Sequence, residues 1–457
     1  MSSDTVTVRV ARAKKIPAYR TIPWLLRNPL KGFEKLGARA DGAVVRLNLG
    51  LFRPYLVTRP EHVQHVLIDG ASHYVRDGMM WKPLRRLLGD GLITDGETWE
   101  PHRKLIQPLF SGKNVALLME RMAEAITEAV DSLEGQARAG EPVDACIEMT
   151  RIVHRAILRV FFGDKISPED AEVLGNAIET SFTSLGARML LPFIPNAFPM
   201  PGDRRFRRAV KRADKIIFPI VREARRQGAD GGDVVSLLLS ARHENGEGLT
   251  DQQVRDDILA MFVGGSETTA VALTWLWVVL DAHPDIATTL QDEIDRVVGQ
   301  EQPGPSHLPE LRYTKMVLQE LLRLYPVGWI IPRTVQQRDS LDGVAIREGA
   351  TVLLSPYLTH RMAELWERPL EFDPERFSAE RTERRHRYAY FPFGGGAHQC
   401  LGGHFFMVEA QLVLASILQR YSPKLLERQP VEAQASASLR PRRRVELLLR
   451  PIGKESP

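Results

Sequence analysis

The chain has 457 residues, 44% hydrophobic and 26% charged, the composition of a globular protein with a sizeable core. A formal charge of +4 is too mild for a nucleic-acid binder, and no basic stripe interleaved with aromatics runs along the sequence. Cys146 and Cys400 are the only cysteines and lie far apart, so no disulfide framework forms and a reducing compartment is expected.

The N-terminal residues are polar and basic, without the apolar run of a signal peptide, and 1–28 reads as an N-terminal extension. The longest apolar stretch, 270–280, is about half of a bilayer span, so no transmembrane anchor and a cytoplasmic location are expected. Alternation at 44–49 and 54–58 predicts two strands of a small sheet. From about 60 to 330 the pattern is helical, with apolar residues at spacings of 3–4 in 115–133, 149–162 and 205–226. The Pro-rich segment 190–203 interrupts it, either as a surface connection or as a mobile lid over an apolar cavity. Thr250 and Gln253 form a capping box, and helical character continues to His283-Pro284, a length of about 50 Å. So long an apolar helix must traverse a domain. Residues 29–457 are therefore expected to be one large domain, mainly α with small β-sheets around a long central helix. Strands return at 351–354 and 445–450.

The strongest local signal is Phe393-Gly-Gly-Gly-Ala-His-Gln-Cys-Leu-Gly402. Adjacent glycines let the backbone approach something flat or bulky, and an apolar run at 405–418 reads as a helix just beyond Cys400. A thiol near a helix N-terminus is disposed to ionise, which suits a thiolate ligand to haem iron. Phe, Gly and Gly at these offsets around either cysteine would arise by chance about 4 times in 10,000 from this composition. The alternatives are an inert buried cysteine, or a zinc site from His398, Cys400 and His404 that lacks a nearby fourth ligand.

Phe393, Gly396, His398, Cys400 and Gly402 resemble the haem-binding signature of the cytochrome P450 family, with His398 where the family more often has Arg. Other segments resemble the family's motifs in order. Gly264-Gly-Ser-Glu-Thr-Thr269 is similar to its oxygen-activation motif, implying Glu267 and Thr268 as the proton-delivery pair. Glu320 and Arg323, with Arg376 in Phe372-Asp-Pro-Glu-Arg-Phe377, resemble its buried structural network. Trp99 and Arg103 at i,i+4, and Arg333 further on, are similar to its haem-propionate contacts.

The resemblance implies the P450 fold, heme b held by Cys400, and a monooxygenase inserting one oxygen atom of O2 into a small apolar organic substrate. Hydroxylation or epoxidation in terpenoid, polyketide or macrolactam tailoring is expected, with a ferredoxin and a ferredoxin reductase as electron donors because no flavin or nicotinamide domain is apparent. Substrate candidates by position are Met79, Met80, Trp81 and Leu84, then Phe182, Met189, Leu190 and Phe193. Ala260, Val263 and Gly264 follow on the long helix, and Val327, Trp329 and Ile330 after the Glu320 helix. Arg384, Arg385 and Arg387 could help dock an acidic partner. A peroxygenase and a non-catalytic haem-binding sensor are the competing readings.

Overall fold

The computed structural model describes residues 13–50, 52–78, 81–89, 91–93, 95, 99–110, 112–185, 188, 194, 197–228, 232–427 and 430–452. Met79, Met80, Met189, Leu190 and Phe193 lie outside them. The chain is mainly helical with small sheets, as expected, and divides into two interleaved compact units.

The first unit draws on residues 1–77, 322–400 and 433–440. Its six-stranded sheet runs in the order Lys14–Ile16, Val45–Leu47, Tyr55–Val57, Thr351–Leu354, Ile331–Val335, Tyr74–Val75. The segment expected as an extension contributes the first strand, parallel to Val45–Leu47, and buries Ile16. Apolar clusters include one containing Val57, Val66, Tyr74 and Phe391, and another containing Leu36, Leu47, Leu56 and Tyr357.

The same unit contains a buried cationic centre. The helix Arg312–Leu324 ends in it, and the Arg323 guanidinium donates to the carbonyls of His360 (2.8 Å), Pro369 (2.7 Å) and Glu371 (2.9 Å) while lying over Trp366. Arg376, equally buried, donates to the carbonyls of Glu367 and Arg368. These irregular segments have no ladder to satisfy their carbonyls, so the guanidiniums do it.

The second unit comprises residues 78–321, 401–432 and 441–457. Its central helix, Asp251–Ala282, opens with the expected capping box: Thr250 accepts from the Gln253 N–H, and Gln253 reaches back to the Thr250 N–H. At 32 residues it is about 48 Å long. It packs along Ala145–Phe162 and Asp203–Gln227. The helix Gly403–Arg420, just after the cysteine loop in sequence, is buried from Val408 to Leu418.

By length and composition the central helix and the stretch Gly396–Arg420 could cross a membrane, a criterion that the 11-residue stretch considered in the sequence does not meet. In each, 67% of the apolar window is buried inside the protein, the pattern of core helices.

Arg323→Ala removes a fully buried cation and leaves three carbonyls, that of His360 buried, without their donor, and should lower unfolding free energy in urea by about 3 kcal/mol or more.

Candidate active site

Cys400 is exposed at the end of a loop that its own backbone closes. The Cys400 N–H donates to the Phe393 carbonyl (2.9 Å), Gln399 N–H to Gly396 (3.0 Å), and Gly394 N–H to Phe391 (3.0 Å). Gly394 and Gly396 hold φ of +70° and +69°. A side chain at Gly396 would also collide with the Leu67 carbonyl, so this position needs glycine twice over. His398 is half-buried in the 3-10 turn Gly396–His398, and Gly402 caps the following helix by accepting from the Phe406 N–H (2.8 Å).

His360 anchors this loop from behind. Its Nε2 accepts the Phe391 N–H (2.9 Å), while its own carbonyl is held by Arg323. Acceptance requires a neutral imidazole. Burial, with the charges of Arg323 and Arg361, pushes the His360 pKa well below its usual value. A chain of hydrogen bonds thus runs from Arg323 through His360 to the backbone that carries Cys400.

In the second unit the central helix changes character at mid-length. Its turns on either side are buried, yet Gly264 is exposed and Val263, Glu267 and Thr268 are half-exposed. A Cβ at Gly264 would meet nothing within 4 Å. The Thr268 hydroxyl donates to the Gly264 carbonyl (2.5 Å), which leaves its lone pairs facing outward as acceptors. Gly264 thus leaves this turn of the helix uncovered, with the carboxyl of Glu267 and the hydroxyl of Thr268 half-exposed one turn on.

The remaining sequence-picked residues are more mixed. Trp99 is buried and donates its indole N–H to the Leu92 carbonyl (3.3 Å), so that group is engaged within the chain, with Arg103 half-buried one turn on. Arg333 is buried on its strand and donates to the Pro332 carbonyl (2.9 Å). Glu320, Arg323 and Arg376 are all buried. Among the substrate candidates, Ala260 and Val327 are buried and Trp81, Leu84 and Phe182 half-buried. Trp329 packs edge-on against Phe33 (5.4 Å) and donates to the Ser436 carbonyl, and both it and Ile330 are partly buried against the same apolar cluster. Of the three loop arginines, Arg385 turns inward over Trp366 (4.0 Å) and donates to the Arg376 carbonyl, while Arg384 and Arg387 stay exposed. Among the described residues, no group of three or more His, Cys, Asp or Glu side chains is placed to share a metal ion.

Two buried polar pairs escaped the sequence reading. His102, adjacent to Arg103, meets Asp257 at 2.8 Å, and burial raises the Asp257 pKa. Glu409, on the Gly403–Arg420 helix, is hydrogen-bonded to Thr269, the residue after Thr268, and its Oε1 has no partner. Burial raises its pKa to about 8. The only sequence signal for either was a carboxylate inside an apolar helical run.

Comparison with known proteins gives concordant matches. The family model described as Cytochrome P450 matches residues 12–449. The cyclooctat-9-en-7-ol 5-monooxygenase of Streptomyces melanosporofaciens is 33% identical over 400 residues, covering 87% of this chain and 85% of that protein. Cyclooctatin synthase of the same organism is 34% identical over 404 residues, covering 87% and 86%. Pentalenene oxygenase of Streptomyces avermitilis is 29% identical over 426 residues, covering 93% of each. The crystal structure of the cytochrome P450DA haem domain matches with a TM-score of 0.84 at 22% identity, over 97% of both chains, a likeness of fold.

Glu409 gives a pH prediction. Its folded pKa of about 8 exceeds the usual carboxylate value, so the neutral acid is favoured by folding. Its contribution to stability is full below about pH 4.5 and is lost as pH rises through about 8. Glu409→Gln should flatten that part of the stability–pH profile and raise the melting temperature at pH 9 relative to wild type.

Proposed function

Since the chain belongs to the cytochrome P450 family of haem-thiolate monooxygenases, we propose that Cys400 is the thiolate ligand of its haem iron. The exposed sulfur on a self-closed glycine loop carries this reading. Phe393, Gly396 and Gly402 shape the loop, and His398, Trp99, Arg103 and Arg333 are assigned to the haem propionates by family resemblance. Family members use dioxygen, an organic substrate and redox partners. The haem supplies oxygen activation and C–H oxidation, favoured by electron donation from sulfur.

The chain's own residues manage protons and access. Thr268, its hydroxyl hydrogen engaged by Gly264, accepts a hydrogen bond from a water and so orients that water's second proton for delivery. Glu267 is the acid that replenishes it. Gly264 keeps the helix surface low, and Val263 and Ala260 give the neighbouring positions an apolar lining. Leu84 and Phe182 are further candidate contacts. Glu320, Arg323 and Arg376 serve structurally.

The substrate is an apolar terpenoid, hydroxylated or epoxidised in secondary metabolism. This rests on relatives whose names specify a cyclooctatenol and pentalenene. Electrons come from a ferredoxin and its reductase, docking through Arg384 and Arg387. The enzyme is cytoplasmic and soluble, and 29–457 acts as a single functional unit together with the strand Lys14–Ile16, a reading supported by the family match over residues 12–449.

The reduced carbon monoxide complex of wild-type protein should show the red-shifted Soret band of a thiolate ligand, and Cys400→Ala should lose it. A wild-type spectrum without that band would refute the assignment. Thr268→Ala should keep the band, yet lower product per reductant consumed by about tenfold or more while peroxide release rises. Arg384→Ala with Arg387→Ala should slow ferredoxin-dependent reduction and weaken its salt dependence, measured by stopped flow.

A further inference from the structure

The helix Asp203–Gln227 carries its charge in two unlike halves. Toward its C-terminus the cations are compensated: Arg225 pairs with Asp251 (2.9 Å), Arg222 lies 3.7 Å from the same carboxylate, and Arg226 pairs with Glu223. Toward its N-terminus, Arg204, Arg205, Arg207 and Arg208 are all exposed. Lys211, Arg212 and Lys215 continue the row, also exposed. None of these seven has an ion-pair partner among the described residues. The acids of this half face elsewhere: Asp203 is buried against Arg188 and Arg86, and Asp214 is taken by Arg255 (2.7 Å).

Nothing internal favours this arrangement. Arg204 and Arg205 stand in the first turn, where the helix dipole repels cations. Arg204 and Arg208, Arg207 and Lys211, Arg208 and Arg212, and Lys211 and Lys215 are like-charged i,i+4 neighbours, each pair destabilising. An external anion would offset both penalties. An apolar feature is fixed beside the row. Phe198, 63% exposed, is flanked by exposed Ala197 and Pro199. Its carbonyl accepts from Arg188 (2.8 Å), whose guanidinium also holds Asp203 (2.6 Å), and Met200 N–H donates to Asp203 (2.9 Å). The backbone that carries Phe198 is thereby tied to the start of the cationic helix.

We propose that this face docks the enzyme peripherally on an anionic lipid bilayer, with the seven cations on the headgroups and Phe198 entering the interface. A soluble polyanion would satisfy the charges but give the exposed phenyl ring nothing to enter. Bilayer docking also suits an enzyme whose apolar substrate partitions into membranes, a point that rests on the function proposed above.

Co-sedimentation of the full-length holoenzyme with vesicles tests this without any turnover, so a failure here is separate from a failure of the haem assignment. Wild type should bind vesicles of equal phosphatidylglycerol and phosphatidylcholine, bind pure phosphatidylcholine weakly, and be released by salt. Replacing Arg204, Arg208, Lys211 and Lys215 together by Gln should weaken binding by at least about tenfold with the haem spectrum intact. Phe198→Ser should weaken it several-fold. Equal binding to both vesicle types, or an undiminished affinity of the Gln variant, overturns the proposal. Unchanged binding of Phe198→Ser with ready displacement by polyglutamate assigns the face to an acidic macromolecule and overturns it as well.

Discussion

The Arg323 guanidinium carries the greatest structural demand in the first unit. It is buried and satisfies three carbonyls of a segment that has no sheet or helix to do so. One of those carbonyls belongs to His360, whose imidazole receives the Phe391 N–H at the head of the cysteine loop. The positive charge also helps to keep that imidazole neutral, the only state in which Nε2 accepts. Charge, tautomer and loop geometry are therefore coupled. The exposed thiol of Cys400 stands at the end of a rigid relay, where a loop held only by solvent would leave its direction free.

The central helix shows the complementary strategy. Regular helix is kept through Gly264 and Gly265 despite their poor propensity, because a capping box and long buried flanks stabilise the whole element. The mid-helix opening lies between Val263 and Thr268, and Thr268 turns its hydroxyl hydrogen back onto Gly264 there. On the neighbouring Gly403–Arg420 helix, a carboxyl kept largely protonated by burial lies against Thr269. That buried carboxyl is bonded to the residue next to the acid–alcohol pair in sequence.

Much of the chemistry was legible in sequence because it depends on residue types at fixed spacings. The glycines around Cys400 and the Thr250 capping box each state a local rule, and the folded chain obeys it. The rest depended on partners remote in sequence. The edge-on packing of Trp329 with Phe33, about 300 residues away, is invisible to any local pattern. Arg385 read as a surface cation like its neighbours, and only the position of Trp366 draws it inward.

Sequence alone therefore determined the class of protein, the cysteine ligand proposed for its cofactor, and the long helix with its glycine-opened turn, since these follow from local backbone and side-chain chemistry. Tertiary structure decided which charges are spent inside and which remain free. Arg323, Arg376 and Arg385 are consumed by carbonyls and indole, whereas the seven cations from Arg204 to Lys215 have no ion-pair partner among the described residues. The physical reason is that a charge's role is set by desolvation and by its nearest opposite dipole, and both are fixed only when distant segments pack.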